Sequence, residues 1–387
     1  MNYFEFHPVG QGLFYTGSIL KNHYNFVYDC GSVTGGDYLD KAIEKYVDFM
    51  TKKHSKINFI NISHLHRDHF NGLKKLCENI KVDRIYLPYL GNHQNVLNIS
   101  LASQIFQGSQ DRQQDTELFY FAASLYDVND NNELSRSEFL FETEIEYIGI
   151  DGEITEKSGR LYTRKSSCVE DKEKPYWRFE FLNNRISDDK LLELETKIKE
   201  KIDDYNQRFQ KSFHTVIDFV RAGDIEYLQQ IYIDVFGQGN PQNLTSTVLV
   251  HYPEKNMCNL PLYSHKEIIS ELPCIDDYAL YGGNPKCNSD ITILTGDAKF
   301  DSYTNYAINS ILRDESKCIL QVPHHGSYPN WHAIDGNVIS KCTKFVIPFG
   351  LGRSKHPDVK TIDELHQIPD ADIIESNQIQ RFSYLLY

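Results

Sequence analysis

The chain has 387 residues, 40% of them hydrophobic and 13% aromatic, and its formal net charge is −14. This much apolar material predicts a folded globular protein and excludes an intrinsically disordered one. The acidic balance argues against broad, non-specific binding to duplex nucleic acid, which depends on many lysines and arginines that displace counterions. A local basic groove, or bound cations that reverse the sign of the potential, would still allow a phosphodiester to bind.

The sequence contains no stretch that predicts secretion or membrane insertion. Residues 1–7 lack the basic segment and apolar core of a secretory signal, and no run of about eighteen apolar residues is present. The eight cysteines are scattered, without a Cys-x-x-Cys pair or a compact disulfide spacing. We therefore expect a cytoplasmic protein with reduced thiols and no membrane contact.

Strands alternate with helices in the first 90 residues and again from residue 241 onwards. The hydrophobic patterns predict strands at 13–20, 25–29, 57–62, 84–87, 245–251, 290–295, 318–322 and 344–348, and helices at 38–50, 71–79, 304–314 and 331–341. Such alternation predicts the α/β class, with sheets layered between helices.

The middle of the chain, residues 91–240, has a different character. It begins with a stretch rich in Gln and Asn, and then predicts strands at 144–150, 160–164 and 177–182 and a charged amphipathic helix at 188–210. We interpret residues 1–90 and 241–387 as two halves of one fold. Residues 91–240 would be a large mixed insertion that acts as a lid or a partner-binding region. An independent domain is the alternative, although no compact catalytic motif lies within this segment.

A cluster of metal-ligating side chains directly follows the apolar run 57–62. It consists of His64, His66, Asp68 and His69. From an extended strand end, His64 and His66 point the same way and can share one ion, whereas the other two bend around towards a second ion. Imidazole and carboxylate ligands suit zinc, manganese or ferrous iron. A surface cluster of polar loop residues is the alternative interpretation.

Further ligand-type residues follow three later strands. They are Asp297, which a glycine precedes, the adjacent pair His324 and His325, and His356. Ligand-type side chains at the same ends of several strands are the usual way in which a layered α/β fold assembles a site. Together with the first cluster, these residues favour a dinuclear metal centre over isolated structural side chains.

The order of these motifs resembles the metallo-β-lactamase fold superfamily, an αββα sandwich whose metals lie at the sheet edge. More narrowly, the chain is similar to the hydrolase domain of ComEC-type competence proteins. The similar segments are Val9-Gly10-Gln11-Gly12, Tyr28-Asp29-Cys30-Gly31-Ser32, Asn243-Leu244-Thr245-Ser246, Leu294-Thr295-Gly296-Asp297, Val322-Pro323-His324-His325-Gly326-Ser327 and Lys355-His356-Pro357. They leave the middle of the chain uncovered. The full competence proteins have membrane-spanning segments that this chain lacks, so the resemblance does not imply DNA transport.

The resemblance implies a set of metal ligands. His64 and His66 would hold a first metal, Asp68 and His69 would hold a second, and Asp297 would bridge the two. The same resemblance predicts an αββα metallo-β-lactamase-like sandwich with a large mixed insertion.

The resemblance also implies that His324 completes the second site. In many superfamily members a further histidine of the first site lies in a Gly-His-Thr segment, and the matching place in this chain holds Asn243. We therefore expect a first site that is open, weaker than the second, or filled by His325 or His356.

The resemblance implies a metal-dependent hydrolase, with a dinuclear zinc or manganese phosphodiesterase that cleaves nucleic acid as the leading hypothesis. Two ions would lower the pKa of a shared water, and the metal-bound hydroxide would attack phosphorus. Asp68 would orient that water, while His325 or His356 would protonate the leaving oxygen.

Two alternative functions are compatible with the sequence. The first is a phosphodiesterase for small cyclic or short oligonucleotides, which the acidic balance favours and for which residues 91–240 could close as a lid. The second is a metal-stabilised interaction module with weak or no catalysis, whose insertion binds a protein partner. Asn243, in place of a ligand, favours this second alternative.

A separate pattern of oxygen donors lies in the insertion. From Asp127 to Glu138, donors occupy positions one, three, five, nine and twelve, which is the spacing of a calcium-binding EF-hand loop. Only one such loop is present, and the residues after it resemble a strand rather than a helix. We therefore interpret it as a polar turn, with calcium binding as the alternative.

Overall fold

The protein belongs to the α/β class, which confirms the prediction from alternating patterns. The structure, a computed structural model, describes residues 2–19, 24–64, 66–89, 116–122, 143–148, 154–162, 165–171, 174–183, 188–213, 246–253, 291–313, 316–353 and 355–386. Its strands form two sheets, and both sheets are mixed.

The first sheet has nine strands, in the spatial order β16-β1-β2-β3-β4-β5-β6-β8-β7. These strands are β1 Asn2–Phe6, β2 Gly12–Ile19, β3 Tyr24–Ser32, β4 Phe59–Asn61, β5 Arg84–Tyr89, β6 Glu117–Ala122, β7 Thr143–Ile148, β8 Ile154–Tyr162 and β16 Phe382–Leu386. From β3 across to β8 the neighbouring strands are parallel, and the remaining pairs are antiparallel. Pairing of β1 with β16 brings the two ends of the described chain together.

The second sheet has seven strands, in the spatial order β15-β14-β13-β12-β11-β10-β9. They are β9 Lys165–Asp171, β10 Lys174–Leu182, β11 Val248–Pro253, β12 Ile291–Leu294, β13 Cys318–Gln321, β14 Cys342–Pro348 and β15 Asp372–Ser376. The strands β12 to β15 are parallel, and β9, β10 and β11 are antiparallel to their neighbours.

Eight α-helices are described. They are α1 Tyr38–Lys52, α2 Arg67–Phe70, α3 Leu73–Asn79, α4 Asp188–Phe209, α5 Ser302–Ile311, α6 Tyr328–Trp331, α7 Gly336–Ser340 and α8 Val359–His366. The prediction of one helix over 331–341 is wrong. Asp335 is extended, and its carboxylate accepts a hydrogen bond from the backbone N–H of Asn337, so a new helix starts there. None of the described helices combines the length and apolar character needed to cross a lipid bilayer.

The core has three layers of packed side chains. Large aromatic residues, including Phe4, Phe26, Phe59 and Trp177, fill the space between the two sheets. The side chains on the other face of the first sheet pack against α1 and α3. The side chains on the other face of the second sheet pack against α5, α6, α7 and α8. The order of layers is therefore helix, sheet, sheet, helix, because each strand places successive side chains on opposite faces.

The described strands of the middle segment belong to both sheets. β6, β7 and β8 extend the first sheet beyond β5, whereas β9 and β10 extend the second sheet beyond β11. Trp177 and Phe179 of β10 contribute to the core between the sheets. These parts of residues 91–240 are thus hydrogen-bonded into the main body of the protein, and a role of the segment as a lid or partner-binding region remains a prediction.

A histidine lies in the apolar core between the sheets. His251 is fully buried, its ring centroid is 5.0 Å from that of Phe4, and its Nε2 is 2.8 Å from the hydroxyl of Tyr15. The Tyr15 hydroxyl is in turn 2.7 Å from that of Tyr384. Burial lowers the pKa of His251 to about 3, because the apolar surroundings disfavour the imidazolium.

We expect His251→Gln to reduce the acid sensitivity of the fold. Below pH 6.5 the unfolded chain binds a proton at this histidine while the folded protein does not, so stability falls as pH falls from 6.5 towards 3. Between pH 7 and pH 5 the wild type should lose about 2 kcal/mol more unfolding free energy than the variant. Urea denaturation at both pH values measures the difference. Equal losses in the two proteins would contradict a neutral, buried His251.

Candidate metal centre

The ligand-type residues lie where parallel strands of both sheets end. β4 leads through Ser63 and His64 into α2, while β12 and β13 end shortly before Asp297 and His324. The two sheets meet at this edge, since the backbone N–H of Thr247 donates a hydrogen bond to the carbonyl oxygen of Ser63. Side chains from distant parts of the sequence therefore converge on one place.

Two glycines allow the loops of this edge to approach closely. A side chain at Gly31 would meet the backbone of Asp68 and His69 at 2.5 Å. Gly296 has a left-handed backbone, with φ of 53°, and a side chain there would meet Ser63 at 2.6 Å. Only glycine fits at both positions without displacing the chain segments that carry the ligands.

A first group of possible metal ligands consists of His64, His66 and Asp297. The Nε2 of His64 is 3.0 Å from the Nδ1 of His66 and 3.6 Å from the Oδ2 of Asp297. His64 is fully buried and Asp297 almost so, whereas His66 is partly exposed.

A second group consists of Asp68, His69 and His325. The Nε2 of His325 is 3.2 Å from the Oδ2 of Asp68. The Oδ1 of Asp297 is 3.2 Å from the Nε2 of His69 and 3.9 Å from the Nε2 of His325. Asp297 thus directs one carboxylate oxygen towards each group, which is the position that the sequence predicts for a bridging ligand.

The structure places the adjacent histidines 324 and 325 differently from the expected arrangement. His325, expected as a proton donor or as a ligand of the first site, lies with the second group. His324, expected to complete the second site, has its Nε2 3.6 Å from the Oδ2 of Asp297, on the side of the first group. Both histidines have left-handed backbones, with φ of 48° and 54°. Because these uncommon backbone angles set the side-chain directions, sequence order alone does not show which of the two faces which group.

Acceptors on the far side orient two imidazoles of the second group. The Nδ1 of His325 donates to the carbonyl oxygen of Pro348 at 2.8 Å, and the Nδ1 of His69 donates to the Oδ2 of Asp29 at 2.7 Å. Each imidazole therefore keeps an Nε2 lone pair for the site when it is neutral. Partners of this kind fix the tautomer and ring direction of metal-ligating histidines.

The carboxylate of Asp29 also contacts the first group, through the hydroxyl of Ser63. The hydroxyl of Ser63 donates to Asp29 at 2.7 Å and is 3.0 Å from the Nδ1 of His64, from which it can accept. No role was predicted for Asp29, although it is the last residue of the predicted strand 25–29 and stands in one of the quoted motifs. That position was the signal that could have identified it.

The electrostatics of the two groups differ. Burial lowers the pKa of His64 well below its usual value and that of His66 to about 4. Burial also disfavours a charge on His69, but the carboxylates of Asp297 and Asp29 outweigh it and raise the pKa of His69 well above its usual value.

The side chains present fit a divalent metal ion. The Oδ1 of Asp297 and the Nε2 of His69 are both buried and make no hydrogen bond, although they lie 3.2 Å apart. Buried polar atoms in folded proteins almost always have a partner, and imidazole nitrogen with carboxylate oxygen is a donor set that first-row transition metals accept. These buried His and Asp groups could therefore hold a metal ion.

His356 lies at the side of the centre but belongs to neither group. Its ring centroid is 5.0 Å from that of His324, and it precedes Pro357, which packs against Gly326. Burial, together with the nearby histidines 324 and 325, lowers the pKa of His356 to about 4. It is therefore a neutral imidazole near pH 7.

Two features of the sequence analysis lie outside the described residues. They are Asn243, at the place of the missing histidine, and the calcium-like loop from Asp127 to Glu138.

No protein-family profile matches the chain, and no curated protein matches it in sequence. The resemblance to the metallo-β-lactamase superfamily rests on the motifs quoted above.

Proposed function

We propose that this protein is a dinuclear metal-dependent phosphodiesterase of the metallo-β-lactamase fold superfamily, with nucleic acid as its leading substrate. The position of Asp297, whose two oxygens face two separate groups of ligands, carries this proposal. The layer order and the succession of motifs shared with ComEC-type hydrolase domains support it.

Each ion would have its own set of ligands in addition to the shared Asp297. His64, His66 and His324 would hold the first ion. The second ion would be held by Asp68, His69 and His325. When bound, two divalent ions of this kind acidify a water molecule and stabilise negative charge on a phosphoryl oxygen.

The chain's own residues would position the substrate and move protons. Asp68 is 17% exposed at its side chain, so its carboxylate can orient a water molecule from the open side of the centre. The Nδ1–H of His325 donates a hydrogen bond to the carbonyl oxygen of Pro348, and its Nε2 faces the second group. His356 is therefore the histidine that would protonate the leaving oxygen. A phosphate anion beside His356 would raise its pKa, because a nearby negative charge favours the imidazolium.

A small phosphodiester is the second candidate substrate. His64, His69, Asp297 and His325 are at most 2% exposed, so among the described ligands a substrate could reach His66, Asp68 and His324. This burial, together with the net charge of −14, favours a short or single-stranded substrate over a rigid duplex.

Purified protein loaded with manganese or zinc should be tested on a dinucleotide, a cyclic dinucleotide, a long single strand and the corresponding duplex. We expect cleavage of at least one of these substrates that requires metal and is lost in Asp297→Asn. The exposed acid Asp363 on α8 provides a matched control, because Asp363→Asn makes the same chemical change away from the centre. Protein that holds two ions and cleaves none of these substrates would overturn the proposal.

A further inference from the structure

The centre contains an asparagine that contacts two of its ligands at once. Asn330 lies in α6 and is 5% exposed. Its Nδ2 donates to the backbone carbonyl oxygen of Asp297 at 2.8 Å, and its Oδ1 is 3.3 Å from the Nδ1 of His324. One amide therefore joins the loop that carries the bridging carboxylate to the histidine beside the first group.

The direction of this amide follows from its partners. A backbone carbonyl oxygen only accepts hydrogen bonds, so the NH₂ group of Asn330 must face Asp297. The amide oxygen then faces His324, whose Nδ1 must carry the proton. The Nε2 of His324 is then the ring nitrogen that faces the Oδ2 of Asp297, at 3.6 Å. Imidazole nitrogen and carboxylate oxygen are both ligands of divalent transition metals, so these two atoms could bind the same ion.

The backbone of His324 needs this support. Left-handed backbone angles are unfavourable for residues other than glycine, and His324 and His325 adopt them in succession. The backbone N–H of His324 donates to the carbonyl oxygen of Gly296 at 3.0 Å, which fixes its main chain, and the amide oxygen of Asn330 contacts its ring at Nδ1.

Gln321 provides a comparison, because its side chain supports the loop that carries Asp297 and does not contact a histidine of the centre. Its Oε1 accepts from the backbone N–H groups of Thr295 at 2.9 Å and Gly296 at 3.1 Å, and its Nε2 donates to the carbonyl oxygen of Gly296 at 3.1 Å. Gln321 is buried, as Asn330 is, but these side-chain contacts go to the loop rather than to a histidine.

We propose that Asn330 is a positioning residue that sets His324 as the third imidazole of the first metal ion and couples it to Asp297. This inference rests on the proposed dinuclear centre. It assigns to His324 the place that the sequence leaves without its usual histidine. Asp29 and Pro348 orient the histidines of the second group. Loss of the Asn330 side chain should therefore lower the affinity for the first ion and leave the affinity for the second unchanged.

The test is a titration of the metal-free full-length protein with cobalt, followed by visible absorption and by calorimetry. The wild type should bind two ions. Asn330→Ala should lower the affinity for one of them about 10–100-fold and leave the affinity for the other unchanged, because loss of a hydrogen-bond partner of a metal ligand commonly has an effect of this size. His324→Ala should weaken the same ion, and the double variant should be no worse than His324→Ala alone, because the two residues act as one unit.

Two further variants make the result decisive. Gln321→Ala should not weaken the binding of one ion selectively. If Asn330→Ala does not fold, Asn330→Leu retains the side-chain volume and should give the same selective loss.

Two results would overturn the inference. In the first, the wild type binds two ions and Asn330→Ala or Asn330→Leu binds both with unchanged affinity, which leaves the proposed function intact. In the second, the wild type binds fewer than two ions, which removes the dinuclear centre and the inference together.

Discussion

We expect Asp297→Asn to reduce the bound metal from two ions per chain to at most one and to lower the proposed phosphodiester cleavage roughly a thousandfold or more, comparable with the loss of other strong electrostatic groups in active sites. Asp297 is the residue that faces both groups, at 3.2 Å from the Nε2 of His69 and 3.6 Å from the Nε2 of His64. Asparagine keeps the shape of the side chain but carries no charge and offers one oxygen. Elemental analysis and initial rates measure the two effects.

The backbone of Asp297 should keep its place in this variant. Asn330 and Ser246 hold the main chain of residue 297, and neither contact involves the Asp297 carboxylate. Thermal unfolding of the metal-free variant and of the metal-free wild type should therefore each show a single cooperative transition. Two ions retained by Asp297→Asn, with normal rates, would contradict a bridging role.

Removal of metal should destabilise the protein by a measurable amount. At a free metal concentration a thousand times the dissociation constant, binding to the folded state alone adds about 4 kcal/mol of unfolding free energy. We expect chelation to remove this contribution, and urea denaturation with and without chelator measures it.

The unfolding free energy that is lost on chelation should increase as pH rises from 6 to 8. In the metal-free protein, the carboxylates of Asp297 and Asp29 outweigh burial and raise the pKa of His69, and Asp297 and Asp68 do the same for His325. A raised pKa in the folded state gives stability that is present below the unfolded value of about 6.5 and is lost as pH rises through the folded value. Protons thus replace part of the metal's effect only at low pH. A difference in unfolding free energy between metal-loaded and chelated protein that decreases towards pH 8 would contradict this explanation.

The local part of the centre could be predicted from the sequence. His64, His66, Asp68 and His69 are close in the chain and follow a buried strand, so their proximity needs only the backbone of one loop. Asp297 could be added because a glycine-aspartate pair at the end of a parallel strand projects a carboxylate from the sheet edge.

The remainder depends on contacts that no local pattern encodes. The directions of His324 and His325 follow from two successive left-handed residues. Asn330 stands in a helix of four residues, where an asparagine has no distinguishing spacing, and its role is visible only from its partners. Similarly, strands β6 to β10 join two different sheets through pairings between distant segments, and hydrophobic periodicity specifies a strand but not its neighbour.

A stoichiometric titration tests the central claim most directly. Metal-free protein is supplied with increasing equivalents of manganese, and hydrolysis of bis-p-nitrophenyl phosphate is followed at each step. The two groups of ligands around Asp297 predict an activity that saturates at two equivalents and is absent at every step in Asp297→Asn. Saturation at one equivalent, or tight binding of two equivalents without hydrolysis of this or any nucleotide phosphodiester, would contradict a dinuclear phosphodiesterase.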